Sequence, residues 1–125
     1  MSIRLILADD HAQFSATLKA LLEQQADVEV VTCVQDGQAL LDYVGCCKVL
    51  PDLIVLDVSM PRIDGIEATH RLRISYPGIR ILALSSHDAP RFVVAMRAAG
   101  ADKYLLKSDP FDTLIRTIYC LAIRR

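Results

Sequence analysis

Five short apolar runs, each followed by a stretch with helical periodicity, divide the chain from end to end. The runs cover residues 3–8, 28–34, 53–56, 80–84 and 103–106. Each is short and rich in Ile, Leu and Val, the signature of a strand rather than a helix. Between them, apolar residues recur at helical spacing. Phe14, Leu18, Leu21 and Leu22 form the first stripe, and Ala39, Leu40, Tyr43 and Val44 the second, after a start at Asp36–Gly37. A weaker pattern runs from about Gly65 to Tyr76, with Leu72 and Tyr76 expected inward. Pro90 opens the next helix and Gly100 follows its end, the asymmetry typical of helix termini. Asp109–Pro110 is expected to cap and begin a last helix carrying Phe111, Leu114, Ile115, Ile118 and Leu121. Strands that are apolar throughout are buried on both faces, which requires a parallel sheet covered by helices. Right-handed crossovers then give an α/β fold: a doubly wound five-stranded parallel sheet with five helices, in three layers.

The 125 residues suffice for one domain and not for two ordinary ones. An apolar fraction of 53% excludes general disorder. A net charge of -1 gives no field for direct nucleic-acid binding or for an anionic membrane. No apolar run reaches the roughly 20 residues that span a bilayer. The apolar start is followed at once by Asp9–Asp10, so it reads as a strand and not as a leader or anchor, and the expected location is cytoplasmic. Cys33, Cys46, Cys47 and Cys120 form neither a C-x-x-C pair nor a metal-ligand pattern, and are expected to be free thiols.

In doubly wound sheets, ligands sit beyond the carboxyl ends of the strands. The residues there are Asp9–Asp10–His11, Asp57, Ser85–Ser86–His87 and Lys107–Ser108, while Gln35–Asp36 reads as helix-start chemistry. Three carboxylates at one edge repel each other, and a hard divalent cation relieves this; oxygen donors favour Mg²⁺ over Zn²⁺. A cation and the Lys107 ammonium beside a carboxylate suit a phosphoryl group. There is no phosphate-cradling glycine loop, so what remains is a carboxylate that receives phosphate directly.

Over its whole length the sequence resembles the receiver domain of two-component response regulators, which have the flavodoxin-like (CheY-like) fold. The most specific segment is Asp57–Val58–Ser59–Met60–Pro61–Arg62–Ile63–Asp64–Gly65, where the family shows D-x-x-M-P-x-x-[DN]-G. Asp9–Asp10, Ser85 and Lys107 fall where the family has its acidic pair, switch hydroxyl and lysine. The segments Ala8–Asp9–Asp10–His11, Leu84–Ser85–Ser86–His87–Asp88 and the run from Ala98 to Lys107 resemble the NarL/FixJ-type subgroup.

The resemblance implies roles for these residues. Asp57 is the phosphoacceptor, and Asp57, Lys107 and Ser85 carry the chemistry. Mg²⁺ is held by Asp10 directly, by Asp9 mainly through water, by Asp57, and by the backbone carbonyl of Ser59. Ser85 and Tyr104 form the switch, and Ser59 and His87 occupy positions that modulate phosphate lifetime. Met60–Pro61 and Gly65 shape the loop, Gly65 through a backbone geometry that other residues resist. The family often has a proline, usually cis, after the lysine. Ser108 stands there, and a cis bond without proline costs about 3 kcal/mol, leaving cis and trans both open. His11 reads as a solvated loop residue.

The implied function is two-component signalling. A sensor histidine kinase supplies the phosphoryl group, and phosphorylation changes partner or homodimer preference. The chain would catalyse at most its own phosphorylation and dephosphorylation. Residues 1–125 are expected to be the receiver of a longer protein whose output is a helix-turn-helix DNA-binding domain; a stand-alone receiver that docks on a protein partner is the alternative. A haloacid dehalogenase-type hydrolase would need a second aspartate where Ser59 stands, and an FMN module would need a Ser/Thr/Gly-rich loop in place of Asp9–Asp10.

Overall fold

The computed structural model describes residues 2–123; of the domain expected over 1–125, Met1, Arg124 and Arg125 lie outside the described residues. The elements run β1 (Ile3–Ala8), α1 (Ala12–Glu23), β2 (Val28–Val34), α2 (Gly37–Gly45), β3 (Leu53–Leu56), α3 (Gly65–Ser75), β4 (Arg80–Ser85), α4 (Pro90–Ala99), β5 (Lys103–Leu106) and α5 (Phe111–Ile123). The five strands are all parallel and lie in the order β2-β1-β3-β4-β5. The chain therefore winds one way from β1 to β2 and the other way from β3 onward. The switch point falls between β1 and β3, where this topology opens a crevice.

Alternate residues of the strands feed two cores. Leu5, Leu7, Leu53, Val55, Leu82 and Leu84 pack under α1 and α5, against Leu18, Leu22, Leu114, Ile118 and Leu121. Ile6, Ala8, Ile54, Leu56, Ile81 and Ala83 pack under α2, α3 and α4, against Leu40, Val44, Ala68, Leu72 and Met96. This two-sided burial explains why the strands read as continuous apolar runs.

The helical stripes are narrower than expected in two places. Leu21 is exposed and the stripe of α1 contracts to Leu18 and Leu22, with Phe14 partly buried against the same core. In α2, Tyr43 is exposed and Leu41 packs inward with Leu40 and Val44. A helix resting on one sheet face needs only a strip of about 100°. Asp109 also differs from expectation. Its carboxylate accepts the backbone N–H of Leu106 at 2.9 Å, closing the loop after β5 instead of capping α5. All four cysteines are free thiols. Among the described residues, no helix is long and apolar enough to cross a membrane.

Candidate functional site: an acidic crevice at the switch point

The sheet ladder continues one step past the strands that flank the crevice. Asp9 N–H donates to Val34 O at 3.0 Å, and Asp57 N–H to Ala8 O at 2.9 Å. Both aspartates are thereby held on rigid backbone and are almost fully buried, at 6% and 4% exposure, while Asp10 stays exposed. Asp9, Asp10, His11 and Asp57 each bring one ligand-type atom into a cluster whose members lie within 4.8 Å of one another. The first helix caps neither with Asp9 nor with Asp10; its N-cap is His11, without a side-chain cap bond. The Asp9 carboxylate instead accepts the His11 backbone N–H at 2.8 Å.

Lys107 reaches in from the end of β5. Its Nζ lies 2.7 Å from Asp9 and 3.2 Å from Asp57 Oδ2, so it serves both buried carboxylates. Burial works against the ammonium charge. The hydrogen bond that Lys107 donates to Asp9 and the charges of Asp57 and Asp9 outweigh it and hold the Lys107 pKa above the ordinary lysine value. Among the described residues no peptide bond is cis, so Lys107–Ser108 is trans. Three contacts hold the lysine in that geometry. Its N–H donates to Ser85 O at 2.9 Å, the Phe14 ring lies under Nζ at 4.6 Å, and His11 Nδ1 is 3.3 Å away.

One carboxylate oxygen of this buried group is left over. Asp57 Oδ2 takes Lys107, whereas Oδ1 is buried and has no hydrogen-bond partner. An unpaired buried carboxylate oxygen is costly, so its presence at a crevice marks a position that a cation or an electrophile would complete. The donors around it are mainly carboxylate oxygens, which fit a hard cation.

The loop from Val58 to Asp64 is pressed against the strand it leaves. A Cβ on Gly65 would stand 2.0 Å from Asp57 O, and Gly65 N–H donates to Val58 O at 2.7 Å. Glycine is required there for close approach. The left-handed residue of the loop is Arg62, with φ 67°, not Gly65.

The four remaining sequence candidates, Ser59, Ser85, His87 and Tyr104, meet around the loop after β4. Ser59 Oγ lies 2.8 Å from His87 Nε2. His87 N–H donates to Ser85 Oγ at 3.1 Å, and its carbonyl accepts the Tyr104 hydroxyl at 2.7 Å. The His87 ring stacks on Phe92 of α4 at 4.3 Å. Tyr104 is half-buried against the core under α4. Burial pushes its phenol pKa up, partly offset by the Ser85 hydroxyl, and the charges of Asp57 and Asp88 raise it further.

The structure thus brings together Asp9, Asp10, Asp57 and Lys107 as one group, and Ser59, Ser85, His87 and Tyr104 as a second. Phe14 is not anticipated at the site by the sequence, which places His11 at this edge but reads it as solvated. His11 follows the acidic pair directly, a signal that adjacency supplied. Phe14 reads as one more apolar helix position until Lys107 is placed over it.

Comparison with known proteins agrees with this geometry. The profile of the response regulator receiver domain matches residues 5–119. The transcriptional regulatory protein DegU of Brevibacillus brevis is 36% identical over 120 residues, covering 96% of this chain and 50% of DegU. The oxygen regulatory protein NreC of Staphylococcus epidermidis is 35% identical over 125 residues, covering 94% of this chain and 55% of NreC. The chain spans about half the length of these curated relatives. Among solved structures, the signal receiver domain of the putative response regulator NarL from Mycobacterium tuberculosis superposes with a TM-score of 0.91 at 30% identity, covering 99% of this chain and 98% of that one. A LuxR-family two-component response regulator from Aurantimonas sp. SI85-9A1 gives 0.90 at 30% identity, covering 100% and 89%. With its fold, its acidic crevice and these relatives in agreement, the chain belongs to the response regulator receiver domain family, in the NarL/FixJ-type subgroup.

Proposed function

We propose that Asp57 is the phosphoacceptor and that Asp9, Asp10, Asp57 and the Ser59 carbonyl hold Mg²⁺ beside it. The observation that carries this reading is the buried Asp57 carboxylate, with Oδ2 on Lys107 and Oδ1 without a partner. Asp57 Oδ1 attacks the phosphorus of a phosphohistidine on a sensor kinase. The new O–P bond forms as the P–N bond breaks, and the electron pair stays on the imidazole nitrogen, which takes up a proton. Lys107 sits where it can turn from Asp57 Oδ2 to an incoming phosphoryl oxygen. The cation, when bound, draws negative charge from the phosphoryl oxygens.

The Ser85 hydroxyl then exchanges its bond to His87 N–H for the phosphoryl group. That loosens the loop whose carbonyl holds Tyr104, and so biases the face built from α4, β5 and α5. Homodimerisation on phosphorylation and a transcriptional output through a following helix-turn-helix domain complete the proposal. The output is supported by DegU, named as a transcriptional regulator, and by the share of the relatives' length that this chain covers. The receiver acts in the cytoplasm, turns over no external metabolite, and at most catalyses its own phosphorylation and dephosphorylation.

The test is labelling by a small acyl phosphate or phosphoramidate. The parent should gain one phosphoryl group when Mg²⁺ is supplied and none when it is chelated. Asp57→Asn should remain unlabelled at the native site; a labelled variant would overturn the assignment.

A further inference from the structure

Arg62 lies in the middle of the loop that carries Ser59, at the only position there whose backbone is left-handed, with φ 67°. A long unbranched side chain gains nothing from that conformation, which glycine or asparagine adopts more easily. The guanidinium is more than half exposed, yet it is not free in solvent. Its Nε and one terminal nitrogen both donate to Asp36 Oδ1, at 3.1 and 3.0 Å.

Asp36 is itself anchored to α2. It is the N-cap of α2, and the same Oδ1 accepts the Ala39 N–H at 2.7 Å. That cap bond first, and Arg62 after it, hold the Asp36 carboxyl below the usual carboxylate range. Beside the pair, the loop backbone rests directly on the helix. A Cβ on Gly37 would stand 1.9 Å from Ile63 O. The loop is thus pinned to α2 at Gly37 and Asp36, and to β3 at Gly65.

An exposed ion pair contributes little to stability, and a left-handed arginine is strained. A residue that adds strain and returns little stability is explained by where it holds the chain. We propose that Arg62 is a positioning residue: through Asp36 it fixes the loop that presents the Ser59 carbonyl to the cation. The family motif leaves this position open, so the role belongs to this chain's own pairing of Arg62 with Asp36. The inference rests on the Mg²⁺ reading above and extends the site to α2, which contributes no residue to the acidic crevice itself.

The test titrates Mg²⁺ alone into the full chain by calorimetry, for the parent, Arg62→Gly, Asp36→Asn and the double variant, with thermal unfolding measured in parallel. Arg62→Gly removes the guanidinium and relieves the backbone at once. It should therefore keep or raise the unfolding temperature while weakening Mg²⁺ binding about tenfold or more, the scale of an outer-shell loss at a metal site. Asp36→Asn keeps a competent cap and should weaken Mg²⁺ binding to the same degree. The double variant should bind no more weakly than either single one. Single-variant losses below about tenfold, or losses that add in the double variant, would overturn the positioning role while leaving the metal reading intact. A parent that binds no Mg²⁺ would overturn both.

Discussion

The Ser59 hydroxyl and Nε2 of His87 lie 2.8 Å apart, which ties the loop after β3 to the loop after β4. The tie continues into α4, because the same imidazole stacks on Phe92. Both side chains stand at positions that the family resemblance assigns to control of phosphate lifetime. His87→Ala should therefore change the autodephosphorylation rate several-fold while leaving Asp57 open to phosphorylation. Decay of the labelled protein, followed after removal of the phosphodonor, measures this; equal decay in variant and parent would end the idea.

Lys107 predicts a pH dependence with a definite sign. Its folded pKa is raised above the unfolded value. Its contribution is therefore complete below the ordinary lysine pKa of about 10.4, and is lost as pH rises through the folded value. Tyr104, also raised, acts in the same alkaline direction and stays present in both proteins compared. Urea midpoints between about pH 9 and pH 12 should fall more steeply for the parent than for Lys107→Met. Parallel slopes would show that the ion pairs with Asp9 and Asp57 do not persist in solution.

Tyr104→Phe keeps the ring and removes only the hydroxyl that His87 O accepts at 2.7 Å. The loss should be about 1 kcal/mol in urea unfolding, the net value of one hydrogen bond. Labelling of Asp57 should survive. A variant as stable as the parent would mean that the strand-to-loop bond carries no weight.

Gly65→Ala places a methyl group 2.0 Å from Asp57 O, a backbone atom that cannot yield without shifting the acceptor. Destabilisation by about 3 kcal/mol is expected, together with impaired labelling. Gly78, where an added Cβ meets nothing within 4 Å, is the control. Gly78→Ala should stay within about 0.5 kcal/mol of the parent. Equal midpoints for the two variants would contradict the close approach.

The parallel sheet was legible because burial on both faces leaves runs such as Leu53–Leu56 without a polar residue, and that pattern survives translation into any correct fold. The ends of the strands were legible for the same reason. Asp9, Asp57, Ser85 and Lys107 are conspicuous as the first polar residues after apolar runs. The stripes of α1 and α2 were read too broadly, because periodicity alone does not say how wide a strip the sheet covers. Asp109 was misplaced because an aspartate before a proline can cap the helix ahead or the loop behind. Only the backbone path, with Leu106 N–H at 2.9 Å, selects the second.

By itself the sequence determined which residues are apolar in which rhythm, and hence the order of strands and helices and the set of polar side chains available at one edge. Those are local properties, set by neighbours along the chain. The tertiary structure alone decided pairings between distant segments: Lys107 over Phe14, between Asp9 and Asp57; Ser59 on His87; Arg62 on Asp36. Each depends on how crossovers and loops bring separate strands' ends within a hydrogen bond's length. That distance is set by packing of the two cores and the close approaches at Gly37 and Gly65, which no periodicity along the chain records.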